Sequence, residues 1–267
     1  MAKLQHKTWN DITCVMTWYG QEDHLYSQCE FYNYMAMRHG YTPRVIFIND
    51  GHEEGRDFFH SCIQAHKSRF NVMGIDVTRD MGFNSHVCRN IGAKHVKTDW
   101  MMLIDVDCFE STGMYEYLRF EKTLDPNMFY VPKVDMEAPE VMSGYELLCP
   151  KGIIKYITHP NTWIMTREAF WATGGYDIEF QGVRHGDAEF FLGIDRPGVK
   201  KWDYDLLSDD DNHRMVVKIP RRDPFYIRQD GKKQNEASQI VNYIRLRNMN
   251  PYKKYRKTLW NVEWEYV

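Results

Sequence analysis

The chain has 267 residues, 43% of them hydrophobic and 27% charged, which suits one large α/β domain or a domain with an appendage. It holds no apolar run of about 18 residues to cross a membrane and no repeat of roughly 20–50 residues to build a solenoid or propeller. The net charge of −3 hides an asymmetry: residues 214–257 carry 13 Lys or Arg against three acids, while residues 1–213 carry −11.

In chain order, DITCVMTW (11–18) is β-prone and ends near Gly20, so it reads as a first strand. LYSQCEFYNYMAMRH (25–39) has apolar residues at helical spacing, with Gly40 as its stop. RVIFI (44–48), closed by "NDG", is a short buried strand, 56–70 a helix, and MGIDVT (73–78) another strand. SHVCRNIGAKHVK (85–97) is a helix leading into the strand WMMLIDVD (100–107). Strands alternating with helices predict βαβ units, a mainly parallel central sheet and a Rossmann-like α/β fold. Further on, FYVPKV (129–134) and NTWIMT (161–166) read as strands, REAFWATGG (167–175) as a short helix ended by glycines, and ASQIVNYIRLRNM (237–249) as a helix. The expected organisation is a domain over 1–213, divided into halves 1–108 and 109–213, with a basic and aromatic extension over 214–267.

The N-terminus MAKLQHKTWNDITCVM lacks the apolar stretch of a signal peptide, and the six cysteines form no C-x-x-C pair. Reduced cysteines and a cytoplasmic location are the expectation. No phosphate-cradling P-loop, no G-x-G-x-x-G after a strand and no structural zinc spacing occurs.

The residues that carry chemistry are Asp105 and Asp107, one position apart at the end of an apolar run. On a strand they would face the same way, with Cα atoms roughly 6–7 Å apart. Two like charges on one face need a cation or hydrogen-bond donors, and Mg²⁺ or Mn²⁺ suits carboxylate ligands completed by substrate phosphates. Capping of the next helix, or plain solvation, is the alternative.

Four segments in register resemble the GT-A glycosyltransferases of the family 2 type: ITCVMTWYG, VIFINDG, NSHVCRNIGAKHVKTDWMMLIDVD and WATGGYDIEFQGVRHGDAEFF. The resemblance covers about residues 11–195. It implies a nucleotide-sugar donor, with Thr17 and Tyr19 at the end of the first strand and Asp50 on the base, a uracil by expectation. It further implies Arg89 near the phosphates, Asp105 and Asp107 on Mn²⁺ or Mg²⁺, and Gly174 and Gly175 in a loop close to the sugar. A downstream histidine completes the metal shell in such enzymes, and His213 is the candidate here. The acid pair after the Gly-Gly loop lacks its first member: the segment reads His185, Gly186, Asp187, Ala188, Glu189. Asp187 is therefore the expected general base of an inverting displacement, with Glu189 in reserve.

For the acceptor, RRDPFYIRQDGKK and NPYKKYRKTLW interleave cations with aromatics, a pattern suited to nucleic-acid backbones and unstacked bases. Certain bacteriophage enzymes glycosylate a modified base in DNA, and a hydroxymethylated base reached through 214–257 is the expectation by analogy. A saccharide, lipid or protein acceptor stays open, as does a binding module that has lost its chemistry.

Overall fold

The structure, a computed structural model, describes residues 5–6, 11–40, 44–80, 82–110, 123–135, 156–158, 161–180, 189–190, 203–207, 216–218 and 264–267. The elements run β1 (Gln5–His6), β2 (Ile12–Trp18), α1 (Glu22–His39), β3 (Arg44–Asn49), α2 (Arg56–His66), β4 (Asn71–Val77), α3 (Ser85–His95), β5 (Trp100–Leu103) and β6 (Cys108–Glu110). There follow β7 (Thr123–Leu124), β8 (Met128–Asp135), β9 (Tyr156–Thr158), β10 (Trp163–Thr166), α4 (Arg167–Ala172), β11 (Asp203–Leu207), β12 (Val216–Lys218) and β13 (Trp264–Tyr266).

Strands β4, β3, β2 and β5 lie side by side and parallel, joined by α1, α2 and α3. Alternation along them explains why they read as continuous apolar runs. Cys14, Met16, Trp18, Val45 and Phe47 point into one core with residues of α1 and α2, whereas Val15, Ile46 and Ile48 point into a second core with residues of α3. Gly92 lets α3 settle on β2, because a Cβ there would come 2.3 Å from a methyl of Val15.

The mainly parallel sheet predicted from the βαβ pattern holds for this quartet, while the rest of the sheet mixes the two senses, with β11 and β12 running parallel to β8. Beyond β5 the sheet continues through β10, antiparallel to β5, and then β8, antiparallel to β10, while β13 is antiparallel to β4 on the opposite edge. The described pieces of 214–267 are sheet strands: β12 bridges β6 and β8, and β13 closes the far edge. The predicted helix over 237–249 lies outside the described residues. Two other helices stop short of their predicted ends. After His66 the chain turns to bury Phe70 before β4, and after His95 residue Val96 is extended, with φ −59° and ψ 127°.

One expectation needs a larger correction. Asp105 and Asp107 do not lie on a strand. The pairing of β5 with β2 ends at Leu103 opposite Val15, with one further bond from the Ile104 N–H to the Val15 carbonyl. The chain then folds into a turn, closed by the Cys108 N–H on the Asp105 carbonyl at 3.0 Å, so that β6 can pair with β12. Strand alternation therefore says nothing about where the two carboxylates point.

Candidate active site

From β2 the sheet grows outward to β3 and β4, then α3 carries the chain back to lay β5 on the other flank of β2. Open α/β sheets bind ligands where this order reverses, outside the carboxyl ends of the strands. Here those ends deliver Tyr19, Asp50, Asp80 and the turn 104–107 to one rim.

The turn is built from below. Gln28 of α1 is fully buried, and its Nε2 donates to the carbonyls of Val106 at 3.0 Å and Cys108 at 2.6 Å. Above it, Arg89 Nη2 lies 2.6 Å from Asp105 Oδ1, and Asn161 Nδ2 donates to Asp105 Oδ2 at 2.9 Å. Asp105 is thus aimed by a buried cation and an amide while its side chain stays 27% exposed. Asp107 sits on the same turn, largely buried, and its Oδ1 accepts from the Cys108 thiol at 3.6 Å. Hard carboxylate oxygens of this kind suit Mg²⁺ or Mn²⁺, with the remaining positions filled by phosphate and water. Among the described residues these two acids belong to no group of three metal-ligating side chains.

Arg89 is an interior residue. Its Nη1 donates to the Tyr176 hydroxyl at 3.3 Å, and the guanidinium carbon stands 5.3 Å from the Tyr176 ring centroid. The neighbouring Asn90 clamps the backbone of the same tyrosine, accepting from its N–H at 2.9 Å and donating to its carbonyl at 2.8 Å. Gly174 and Gly175, at φ 90° and 66°, make the bend that brings Tyr176 there, and a Cβ on Gly175 would lie 2.8 Å from Asn90 Oδ1. Arg-Asn-x-Gly on α3 and the Gly-Gly-Tyr loop are two halves of one joint.

At the other end of the rim, Asp50 is buried beneath α3. Its Oδ2 accepts the backbone N–H of Asn84, the N-cap of α3, and its Oδ1 accepts from the Cys88 thiol at 3.2 Å. Burial pushes its carboxyl up to about 8 despite these donors. Tyr19 packs edge-on against His52 and Phe83, with centroids 4.9 Å and 6.0 Å away, and its hydroxyl donates to Asp80 at 3.3 Å. Gly51, at φ 71°, is required here, since a Cβ would stand 2.4 Å from the Arg79 carbonyl oxygen. Thr17 is half-buried below this group, and its hydroxyl has no hydrogen-bond partner among the described residues.

Asp187 and His213 lie outside the described residues. Glu189 is buried to zero exposure beside Phe190, whose ring stacks on Tyr176 with centroids 4.4 Å apart. Sequence reasoning missed Gln28, Asn161, His52, Phe83 and a buried trio around Glu110. Glu110 Oε1 accepts from the Tyr32 hydroxyl and from the Cys14 thiol at 3.3 Å, while Oε2 has no partner among the described residues. Burial raises Glu110 to about 7 and pushes both partners upward.

Residues 13–125 match the family described as "Glycosyltransferase like family 2". Over that stretch, less than half of its length, the chain is similar to this family, and its fold is of the GT-A type. No curated protein matches its sequence. Its fold is similar to that of the mannosyltransferase PcManGT from Pyrobaculum calidifontis in complex with GDP-Man and Mn²⁺, at TM-score 0.51 and 14% identity over 88% of this chain and 64% of that one. It is also similar to GalNAc-T7 with UDP, GalNAc and Mn²⁺, at TM-score 0.53 and 16% identity over 79% and 44%. A third similar structure is S. aureus TarS 1-349 in complex with UDP-GlcNAc, at TM-score 0.53 and 10% identity over 90% and 67%. The chain thus spans a little under two thirds of the mannosyltransferase and under half of GalNAc-T7. No helix among the described residues is long and apolar enough to cross a membrane.

Proposed function

We propose that this protein is a glycosyltransferase that moves a sugar from a nucleotide-sugar, a UDP-sugar in our reading, to an acceptor hydroxyl with the help of a divalent ion. The observation that carries the reading is the turn 104–107: two carboxylates at the reversal point of the sheet, one aimed by a buried arginine, on a backbone pinned by Gln28. The rings of Tyr19, His52 and Phe83 offer stacking faces for the base, and the Thr17 hydroxyl has hydrogen-bonding capacity to spare. Of the similar structures, two hold UDP or UDP-GlcNAc and one holds GDP-Man, so the donor test must include both bases.

Asp107, with Asp105 beside it, would hold Mn²⁺ or Mg²⁺. Such an ion supplies Lewis-acid stabilisation of the charge growing on the departing diphosphate. Arg89 keeps Asp105 aimed. The Gly174 and Gly175 backbone allows the sugar to approach closely. Asp187 is the proposed base, taking the acceptor proton as the hydroxyl attacks the anomeric carbon from the face opposite the leaving group, which inverts the centre. The basic and aromatic composition of 214–257 supports a hydroxymethylated base in DNA as the acceptor. A base in duplex would have to be extruded to reach the pocket.

The test incubates the full chain with a panel of UDP- and GDP-sugars and either ion, then measures released nucleoside diphosphate. We expect ion-dependent turnover with one donor that Asp107→Ala abolishes. No turnover of any donor, with unaltered nucleotide binding in Asp107→Ala, would instead identify a binding module. Mass spectrometry of hydroxymethylated DNA after incubation reads the acceptor.

A further inference from the structure

Behind the sheet rim, α1 and α2 pack together and converge three soft or borderline ligands: Cys29, Cys62 and His66. All three are buried, and two Sγ atoms and a ring nitrogen lie within 4.8 Å of one another. We propose that these residues form a second metal site, separate from the acidic turn, that takes a thiophilic divalent ion, with Zn²⁺ the best match.

Spacing is the first argument. The two Sγ atoms stand 3.8 Å apart across the helix pair. Two thiolates about 2.3 Å from a tetrahedral ion stand about 3.8 Å from each other, so the pair already has the separation that zinc imposes. A disulfide requires closure to about 2.05 Å, nearly half that distance.

Ligand orientation is the second. His66 Nδ1 donates to the Cys62 carbonyl at 2.8 Å, and Nε2 lies 2.9 Å from Glu30 Oε1, itself 3.2 Å from Arg69 Nη1. When either ring nitrogen turns to the ion, the other remains held by a carbonyl or a carboxylate, the outer-shell arrangement typical of metal-binding histidines.

Charge is the third. Two thiolates and a neutral imidazole cancel a divalent ion, so the loaded site is neutral and tolerates burial. A second cluster among the described residues, His60, Asp76 and Glu265, fails this test, because Arg56 Nε already lies 2.8 Å from Asp76. Thiolates also discriminate against the hard ions that suit the acidic turn, so the two sites need not compete.

The experiment strips the reduced full-length protein with a chelator and titrates it with Co²⁺, then Zn²⁺. We expect one equivalent of Co²⁺ to give a sulfur-to-cobalt charge-transfer band in the near ultraviolet and the visible bands of tetrahedral cobalt, both erased by Zn²⁺. Cys29→Ser and Cys62→Ser should each lose these bands, whereas Asp107→Asn should keep them. The absence of a thiolate band in the wild type overturns the proposal, as does a band that survives both serine substitutions. Should a serine variant fold poorly, the Zn²⁺ protection of Cys29 and Cys62 against alkylation in the wild type, read by peptide mass spectrometry, replaces it. Equal alkylation with and without Zn²⁺ then overturns the site.

Discussion

Arg89 reaches from the interior of α3 to the edge of the acidic turn, where its Nη2 lies 2.6 Å from Asp105 Oδ1, while its Nη1 contacts the Tyr176 hydroxyl. One planar guanidinium thereby ties the donor side of the rim to the Gly-Gly-Tyr loop. A lysine has a point charge and cannot serve both directions. Arg89→Lys should therefore keep the fold, with a melting temperature within a few degrees of the wild type, yet lose at least tenfold in kcat/KM for the donor. Arg89→Ala should in addition cost about 1–3 kcal/mol, a figure discounted because Asp105 is partly exposed. Wild-type kinetics in Arg89→Lys would refute the dual role.

Gln28 bears on the same turn from beneath. Gln28→Leu preserves volume but removes the two side-chain bonds to the carbonyls of Val106 and Cys108. Two lost bonds with buried acceptors should cost about 2–4 kcal/mol of stability. If Gln28 positions the turn, the concentration of Mn²⁺ needed for half-maximal activity should rise more than the donor KM does. A pure stability loss with an unchanged Mn²⁺ requirement would reduce Gln28 to a packing residue.

Asn90 gives the matching prediction on the acceptor side. Asn90→Ala removes both bonds that hold the Tyr176 backbone and frees the loop at Gly174 and Gly175. Stability should drop by about 2–3 kcal/mol. Activity should fall chiefly in kcat, because in the proposed function the loop sets the approach of the sugar and not the grip on the base. A change confined to donor KM would contradict that assignment.

The acceptor reading is open to a direct assay. Changing Lys253, Lys254, Arg256 and Lys257 to Gln removes four positive charges from KKYRK (253–257). If this stretch neutralises DNA phosphates, binding to DNA should weaken at least tenfold at low salt, and its salt dependence should become shallower. Donor hydrolysis without acceptor should stay as in the wild type. Equal DNA affinity before and after the change would remove nucleic acid from the proposal.

How far these features were visible in the residues alone follows from the range of the forces involved. The quartet β2 to β5 was legible because strands buried on both faces must be apolar throughout, and the helices between them bury one stripe. The other half of the sheet was harder to read: its strands after β8 have three to five residues and are placed by long-range pairing, as where β12 meets β6 antiparallel and β8 parallel. The pair Asp105 and Asp107 was found by type and spacing, but its geometry was misread, because the register with Val15 ends β5 before either aspartate. Gln28 left a signal that went unused: it sits among Leu25, Cys29 and Tyr32 on the buried stripe of α1, where a polar residue needs a partner. Asn161 and Phe83 left none, since their roles exist only once distant segments meet.

Glu110 supplies the last prediction, one about pH. Its carboxyl is fully buried, and burial lifts it from 4.5 to about 7, even though Tyr32 and Cys14 donate to it. The folded state therefore holds a proton that the unfolded chain gives up near its ordinary value. Stability from this group is complete below pH 4.5 and is lost as pH rises through 7, on the order of 3 kcal/mol in all. Asp50, raised to about 8 by burial, acts with the same sign. Glu110→Gln keeps the shape and cannot ionise, so its stability should fall less between pH 5 and pH 8 than that of the wild type. Denaturant unfolding of both proteins across that range measures the difference. Parallel curves would mean that the carboxyl inside the core is already ionised at pH 5, held by the Tyr32 and Cys14 donors strongly enough to offset its burial.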